Sequence, residues 1–305
     1  MKTVLVATDK PFAKIASDQI KAIFAQAGYE CRFLEKYTQQ SDFIEAVADV
    51  DAIIIRSDKV DKDVIENGKK LKIVVRAGAG YDNVDLPAST AKEVVVMNTP
   101  GQNSNAVAEL VFGMVVYQIR NHFDGSSGTE LKDKKLGIHA YGNVGKNVAR
   151  IAKGFGMQVY AFDPFVSAAE IEKDGVKVLS TVEELYKTCK FVSLHIPATS
   201  ETKKSINHKL MSMMPANAVL INTARKEVIN EEDLKTVLAE RKDFCYVSDI
   251  QPDCMSELQD YSKRLFFSPK KMGAQTEEAN INAGIAAANQ IIAFFEKNDI
   301  RFKVN

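Results

Sequence analysis

The chain has no tryptophan, and only four histidines and four cysteines among 305 residues. Cys31, Cys189, Cys245 and Cys254 form no CxxC pair and show no Cys/His spacing of a metal site. A zinc centre and a disulfide framework are therefore not expected, and the thiols read as reduced groups of a cytoplasmic protein. No stretch approaches the roughly 18 apolar residues of a membrane span. Residues 1–7 are too short an apolar run for a secretory leader and read as a first strand. An excess of one charge is also lacking: Lys plus Arg and Asp plus Glu stand at 40 each. No net field draws the chain to nucleic acid or to a membrane, so an anionic small substrate must be met by a local cluster of cations. There is no internal repeat and no low-complexity tract. What remains is an ordinary composition, 46% hydrophobic and 26% charged, long enough for two domains with real cores.

The most informative stretch runs from Lys134 to Arg150. A short apolar run, Leu136-Gly137-Ile138, leads into Ala140-Tyr141-Gly142-Asn143-Val144-Gly145 and then into a helical pattern. A strand turning into a helix over small residues is how a pyrophosphate is held. Gly142 allows close approach of the backbone, Gly145 allows the helix to pack on the strand, and the helix N-terminus offers free N–H groups. Asp163, about 18 residues beyond Gly145, ends the next apolar run and suits a ribose 2′-hydroxyl, which favours NAD over NADP. The first fingerprint position is Ala140 rather than glycine, which predicts a slightly displaced turn and weaker NAD binding.

Residues 1–98 alternate strand and helix. Strands are expected at 4–7, 29–34, 52–55, 72–75 and 93–97. Helices are expected from Pro11 to about Ala27, closed by Gly28, and at 42–48. Near-continuous apolar strands separated by helices mean a parallel sheet covered on both faces, with ligands beyond the carboxyl ends of the strands. Asn98-Thr99-Pro100-Gly101 marks a crossover, and a helix with an apolar stripe follows from about Asn103 to Asn121. After Asp163 the alternation resumes, with strand ends at His195, at Asn222-Thr223-Ala224-Arg225 and at Asp249, and a last helix from Glu277 to about Lys297.

Several strand-end groups suit chemistry. Arg225 can hold a carboxylate with two parallel hydrogen bonds and polarise a neighbouring carbonyl. Lys271 can exchange a proton with a substrate hydroxyl if burial and the cations Arg225 and Lys270 lower its affinity for protons. Arg56, Lys59 and Arg76 can meet a phosphate or a second carboxylate, and Gly78-Ala79-Gly80 can present successive N–H groups to a carboxylate. A lone Lys or Arg is ordinarily a solvated cation; the position of these at strand ends is what singles them out. His195 lies along the expected nucleotide track, and Asp249 can accept from the nicotinamide carboxamide. His139 reads as packed rather than functional.

These segments, in order, resemble the D-isomer-specific 2-hydroxyacid dehydrogenases. Ile55-Arg56-Ser57-Asp58-Lys59-Val60 is similar to the family's substrate-binding strand end, and Arg76-Ala77-Gly78-Ala79-Gly80-Tyr81 to its carboxylate-binding loop. Asn98 to Ser104 with Ala108-Glu109-Leu110 resembles the crossover and interface helix. Leu194-His195-Ile196-Pro197 with Thr202, then Asn222-Thr223-Ala224-Arg225 and Thr276-Glu277-Glu278-Ala279, complete the series. The resemblance implies two Rossmann-like doubly wound parallel sheets with a cleft between them: a discontinuous substrate-binding domain, 1–98 and 277–305, and an NAD-binding domain, 99–276. It implies a homodimer through the helix near 103–121. It carries catalysis onto Arg225 and Lys271. Substrate contacts fall to Arg56, Ser57, Lys59, Arg76, Gly78, Ala79, Gly80 and Asn103. Cofactor contacts fall to Gly142, Asn143, Val144, Gly145, Asp163, His195, Thr202, Thr223, Ala224, Asp249 and Gly273.

Three departures stand out. Lys271 occupies the place of the family's acid–base His. No Glu stands at the place of its partner in Asp249-Ile250-Gln251-Pro252-Asp253-Cys254, which leaves Asp253, Glu257 or no carboxylate at all in its place beside Lys271. Lys226 replaces the usual Gly after the catalytic Arg. Within the family the resemblance is to the branch that oxidises D-3-phosphoglycerate at its 2-hydroxyl for serine synthesis, without a serine-sensing domain. Another D-2-hydroxy acid is the first alternative, and an NAD-sensing protein that has lost catalysis is the second.

Overall fold

The computed structural model describes residues 1–305 and divides into two compact units, residues 1–103 with 275–305, and residues 104–274. Residues 99–103, expected with the cofactor domain, and Gln275 and Thr276 fall in the first unit.

Unit 1 runs β1 (Thr3–Thr8), α1 (Lys14–Gln26), β2 (Glu30–Glu35), α2 (Gln40–Ala46), β3 (Ala52–Ile55), α3 (Lys62–Asn67), β4 (Ile73–Arg76), α4 (Leu86–Ala91) and β5 (Val95–Asn98). The strands form one parallel sheet in the order β2-β1-β3-β4-β5. Alternate residues of each strand enter different cores. Val4, Val6, Ile54, Ile73 and Val75 pack in one layer with Phe24 of α1. Leu5, Ala7, Ile53, Ile55 and Val74 pack in the other with Phe43 of α2 and Ile65 of α3. Burial on both faces explains why these strands read as unbroken apolar runs. Pro11 lies outside α1, whose N-cap, Ala13, makes no side-chain bond.

Unit 2 runs α5 (Ser104–Ile119), β6 (Lys135–His139), α6 (Asn143–Gly154), β7 (Gln158–Phe162), α7 (Ala168–Lys173), β8 (Lys177–Val178), α8 (Val182–Thr188), β9 (Phe191–Leu194), α9 (His208–Met213), β10 (Val219–Asn222), α10 (Glu231–Glu240), β11 (Cys245–Ser248) and β12 (Leu265–Phe267). The seven strands are parallel, in the order β12-β11-β10-β9-β6-β7-β8. The chain then returns to unit 1 with α11 (Glu277–Lys297), whose Ala283, Ala287, Ala288 and Ile291 join the first core layer. Both units are thus Rossmann-like α/β folds. The strand order reverses at β1/β3 in unit 1 and at β6/β9 in unit 2, and such switch points open a crevice at the carboxyl ends of the strands.

Short helices that the periodicity does not announce carry cap signals instead. Asp61 accepts from Val64 N and Asp85 from Ala88 N, and Thr181 and Glu184 form a reciprocal capping box at α8. No helix is long and apolar enough to cross a membrane.

Gly137 of β6 holds α8 close: a Cβ placed there would lie 2.9 Å from Leu185 Cγ and 3.1 Å from Cys189 Cβ. Gly137→Val should therefore cost about 1–3 kcal/mol by overpacking. Urea unfolding checks this, with a loss below about half a kcal/mol contradicting the packing account.

Candidate active site

At the unit 2 switch point, β6 ends in His139 and the chain turns through Ala140 and Tyr141 into α6. Ala140 has φ of 80°. This left-handed conformation costs an L side chain on the order of 1–2 kcal/mol, which explains why glycine is the usual residue there. The turn is closed by Ala140 N donating to Phe162 O at 3.0 Å and by Tyr141 N donating to Asp163 Oδ2 at 2.7 Å. Gly145 cannot be replaced without moving the backbone, since a Cβ would stand 2.5 Å from Ala140 O. Gly142 is the extended N-cap of α6 and caps it with no side chain, so the first N–H groups, those of Asn143 and Val144 among them, keep no intrahelical partner. A Cβ at Gly142 would meet nothing within 4 Å, so the space before the helix is open.

The surroundings fit a dinucleotide. Asp163 also accepts from Phe165 N at 2.8 Å; two backbone bonds orient its carboxylate and leave acceptor capacity for a ribose hydroxyl. Thr223 Oγ1, at the end of β10, is buried with no partner, an orphan that a bound polar group would satisfy. His195 donates its backbone N–H to His139 O and pairs Nε2 with Ser193 Oγ at 2.9 Å. Burial, then the neighbouring His139, pushes its pKa down to about 3, and burial takes His139 to about 4. Both rings are neutral at physiological pH. Thr202 donates to Pro197 O and accepts from Thr199 N, which folds the loop beyond β9.

Beyond β10, Asn222 accepts from Ala224 N at 2.9 Å and donates to Arg225 O at 3.0 Å. This ties residues 222–225 into one turn and sets the start of the Arg225 side chain. Opposite lies Lys271. Its Nζ donates to Asp249 Oδ1 at 2.9 Å, Ala224 O at 2.9 Å and Thr223 O at 3.2 Å. The Asp249 side chain is 1% exposed, and its other oxygen takes Gly273 N at 2.9 Å. A Cβ on Gly273 would lie 2.8 Å from that oxygen, so glycine is required. Burial lowers the pKa of Lys271; Asp249 works against this, and Arg225 adds to it.

This arrangement corrects one expectation. Asp253 and Glu257 do not reach Lys271: Asp253 pairs with Lys226 at 2.5 Å and Glu257 with Lys235 at 2.8 Å. The carboxylate on Lys271 is Asp249, whose oxygens take Lys271 Nζ and Gly273 N and keep acceptor capacity for a further donor.

In unit 1, Arg56 and Arg76 stand at the adjacent ends of β3 and β4, with Ile55 in register with Arg76. Arg56 donates through Nη1 to Lys10 O and Pro11 O and through Nη2 to Asn280 Oδ1. Three of its five N–H groups have partners, so only part of the side chain is open to a ligand. Burial lowers its pKa, against Asp58 and Asp9. Arg76 Nε donates to Arg56 O at 3.0 Å, and its Nη1 lies where a Cβ of Gly78 would be. Gly78, at φ of 148°, makes room for it. Gly78 N already donates to Arg76 O, so the expected row of three N–H groups is reduced to those of Ala79 and Gly80. Lys59 points elsewhere, 74% exposed and 3.8 Å from Asp61. Ser57 is exposed and Asn103 half-buried. Sequence reasoning missed Asp58, a buried carboxylate that accepts from Asp9 N, Tyr37 Oη and Arg56 N and so fixes the β1/β3 switch point. It also missed Asn280, whose contact with Arg56 spans 224 residues.

Residues 113–259 match the family model described as D-isomer specific 2-hydroxyacid dehydrogenase, NAD binding domain. A hydroxypyruvate reductase of Thermotoga maritima is 31% identical over 285 residues, 86% of this chain and 90% of the relative. The crystal structure of an NAD+-bound 3-phosphoglycerate dehydrogenase of Entamoeba histolytica superimposes with a TM-score of 0.90 at 45% identity, over 100% of this chain and 98% of that one. The chain belongs to the D-isomer specific 2-hydroxyacid dehydrogenase family. A D-3-phosphoglycerate dehydrogenase of Methanocaldococcus jannaschii is 34% identical over 83% of this chain, but the match covers 51% of its length; this chain spans about half of that relative. Family membership makes unit 2, with its open α6 N-terminus and Asp163, an NAD-binding domain.

The strain at Ala140 gives a direct test. Ala140→Gly should raise stability by about 1 kcal/mol by removing the left-handed side chain and lower the NAD dissociation constant severalfold. Calorimetric titration showing unchanged or weaker NAD binding would contradict this.

Proposed function

We propose that this protein oxidises D-3-phosphoglycerate at its 2-hydroxyl to 3-phosphohydroxypyruvate, the precursor of serine, with NAD as hydride acceptor. The observation that carries the reading is the Lys271 ammonium held on Asp249 and two carbonyls beside Arg225, in a family defined by 2-hydroxy acid chemistry. NAD held at the α6 N-terminus and by Asp163 would supply the acceptor for the hydride of C2. Lys271, once it has lost its own proton to solvent and stands as the neutral amine, takes the hydroxyl proton as the C2–H electron pair leaves, and the C2–O bond becomes a carbonyl. Arg225 holds the carboxylate and draws charge toward the developing carbonyl. Asp249 fixes where the Lys271 nitrogen sits. Arg56 and Arg76 supply the cations that a phosphorylated acid needs in a chain without net charge.

The 45% identity to the Entamoeba enzyme supports this substrate. A second reading, turnover of an unphosphorylated acid such as hydroxypyruvate, is supported by the near full-length match to the Thermotoga reductase. A homodimer through α5 is part of the proposal. That helix buries Val111, Phe112, Met114 and Val115 within its own unit, yet keeps Leu110, Val116 and Tyr117 half-exposed on other sides. Four free thiols suit a reducing cytoplasm.

Two sets of variants test the reading. Lys271→Ala should lose about 10²–10⁴ in the rate of D-3-phosphoglycerate oxidation. The wild-type pH–rate profile should rise with an apparent pKa below the ~10.4 of free lysine. Asp249→Asn removes the group that raises the lysine's pKa, so its limb should move to lower pH. A near-wild-type rate for Lys271→Ala overturns the assignment. In a second experiment, Arg56→Ala should raise KM for D-3-phosphoglycerate at least tenfold while leaving D-glycerate oxidation nearly unchanged. Equal losses on both would make Arg56 structural, and faster turnover of unphosphorylated acids by the wild type would favour the second reading.

A further inference from the structure

Two hydrogen bonds from the end of β5 hold the loop that follows β4. Gly78 O accepts from Thr99 N at 2.9 Å, and Ala79 O accepts from Asn98 Nδ2 at 2.6 Å. Asn98 is the last residue of β5, in register with Arg76 at the end of β4. Both loop carbonyls therefore point toward the end of β5. Their peptide units are trans, and in a planar trans unit the C=O and the N–H point in opposite directions. Fixing Gly78 O thus aims the Ala79 N–H, and fixing Ala79 O aims the Gly80 N–H. Both are turned away from β5, and neither has a hydrogen-bond partner within the chain. In the sheet order the other neighbour of β4 is β3, which Arg56 follows.

The two ties differ in kind. Thr99 donates with its main chain, as any residue but proline can. Asn98 donates with its side chain, and no other side chain bonds to the main chain of residues 77–80. The direction of the Gly80 N–H therefore depends on the identity of one residue outside the loop. Ala79 is exposed and Gly80 half-buried, so a ligand can reach the loop.

We infer that Asn98 is a positioning residue for substrate binding: its amide turns the Gly80 N–H, beside that of Ala79, to the carboxylate of the 2-hydroxy acid. This rests on the family's 2-hydroxy acid chemistry but not on the choice of acid, since every such acid carries the carboxylate. Two successive N–H groups turned to one side suit a carboxylate, and hydrogen bonds to an ionised oxygen are roughly twice as strong as neutral ones. The carboxylate keeps its charge throughout the reaction, so the contact is made alike in the ground and transition states. Its loss raises KM and leaves kcat nearly alone.

Steady-state kinetics of Asn98→Asp and Asn98→Ala on D-3-phosphoglycerate and D-glycerate test this. An ionised Asp has nearly the size of Asn but cannot donate, so a side chain that only filled space would tolerate it. Both variants should raise KM about fivefold or more, keep kcat within about twofold, and do so by the same factor on the two acids. Losing one hydrogen bond should lower the melting temperature by only about 2–4 °C, with NAD affinity unchanged. NMR reads the geometry itself. Either acid titrated in the presence of NADH, a pairing that cannot turn over, should shift the Ala79 and Gly80 amide signals of the wild type, and the Gly80 shift should vanish in both variants. A wild-type KM in Asn98→Asp, a loss confined to the phosphorylated acid, or no Gly80 shift in the wild type with either acid would each overturn the inference. A Gly80 shift with D-glycerate alone would refute the phosphorylated substrate and support the role of Asn98.

Discussion

The pairing of Asp249 with Lys271 is the interaction on which the site in unit 2 depends. A wholly buried carboxylate loses several kcal/mol of hydration, and two donors offset it here: the lysine ammonium on one oxygen and the Gly273 N–H on the other. Those bonds pin the loop after β12 to the end of β11. The same ammonium reaches Thr223 O and Ala224 O, which joins the loop to the end of β10. Three strand ends are thereby fixed by one side chain. Removing the ammonium would leave Asp249 buried with the Gly273 N–H on one oxygen, whereas Lys271 without Asp249 would keep its two carbonyl partners, so loop position and proton affinity are set together.

The rest of the arrangement follows from where parallel strands end. In unit 2 the β6/β9 switch point lies where the strand–helix turn must open toward an anion, and Tyr141 N and Phe165 N orient Asp163 beside it. In unit 1 the β1/β3 switch point is organised by a buried carboxylate, Asp58, which holds the Arg56 backbone N–H, while Arg76 Nε donates to Arg56 O. Each unit buries both faces of its sheet, so the strand ends are the places left where polar side chains can meet small molecules.

Much of this was legible in the chain. Continuous apolar runs such as 52–55 marked the buried strands, and Ala140 to Gly145 followed by Asp163 marked the nucleotide turn, because period and spacing are local properties. Short helices such as α3, α4 and α9 escaped, since six residues carry too little periodicity and only their Asp or Asn caps announce them. Partners distant in sequence escaped for a different reason. Nothing near Arg56 points to Asn280, and the spacing around Lys271 does not choose among Asp249, Asp253 and Glu257. Burial made that choice: Asp249 directly follows β11 and is buried, whereas Asp253, in a loop, and Glu257, in a short 3-10 helix, are exposed beside Lys226 and Lys235.

The most direct test of the account is the titration of the Lys271 amine itself, followed by NMR of the protein carrying isotope-labelled lysine. With burial and Arg225 outweighing Asp249, the Lys271 nitrogen should titrate below the ~10.4 of free lysine. A Lys271 midpoint at or above that value would contradict its role as the group that takes the proton.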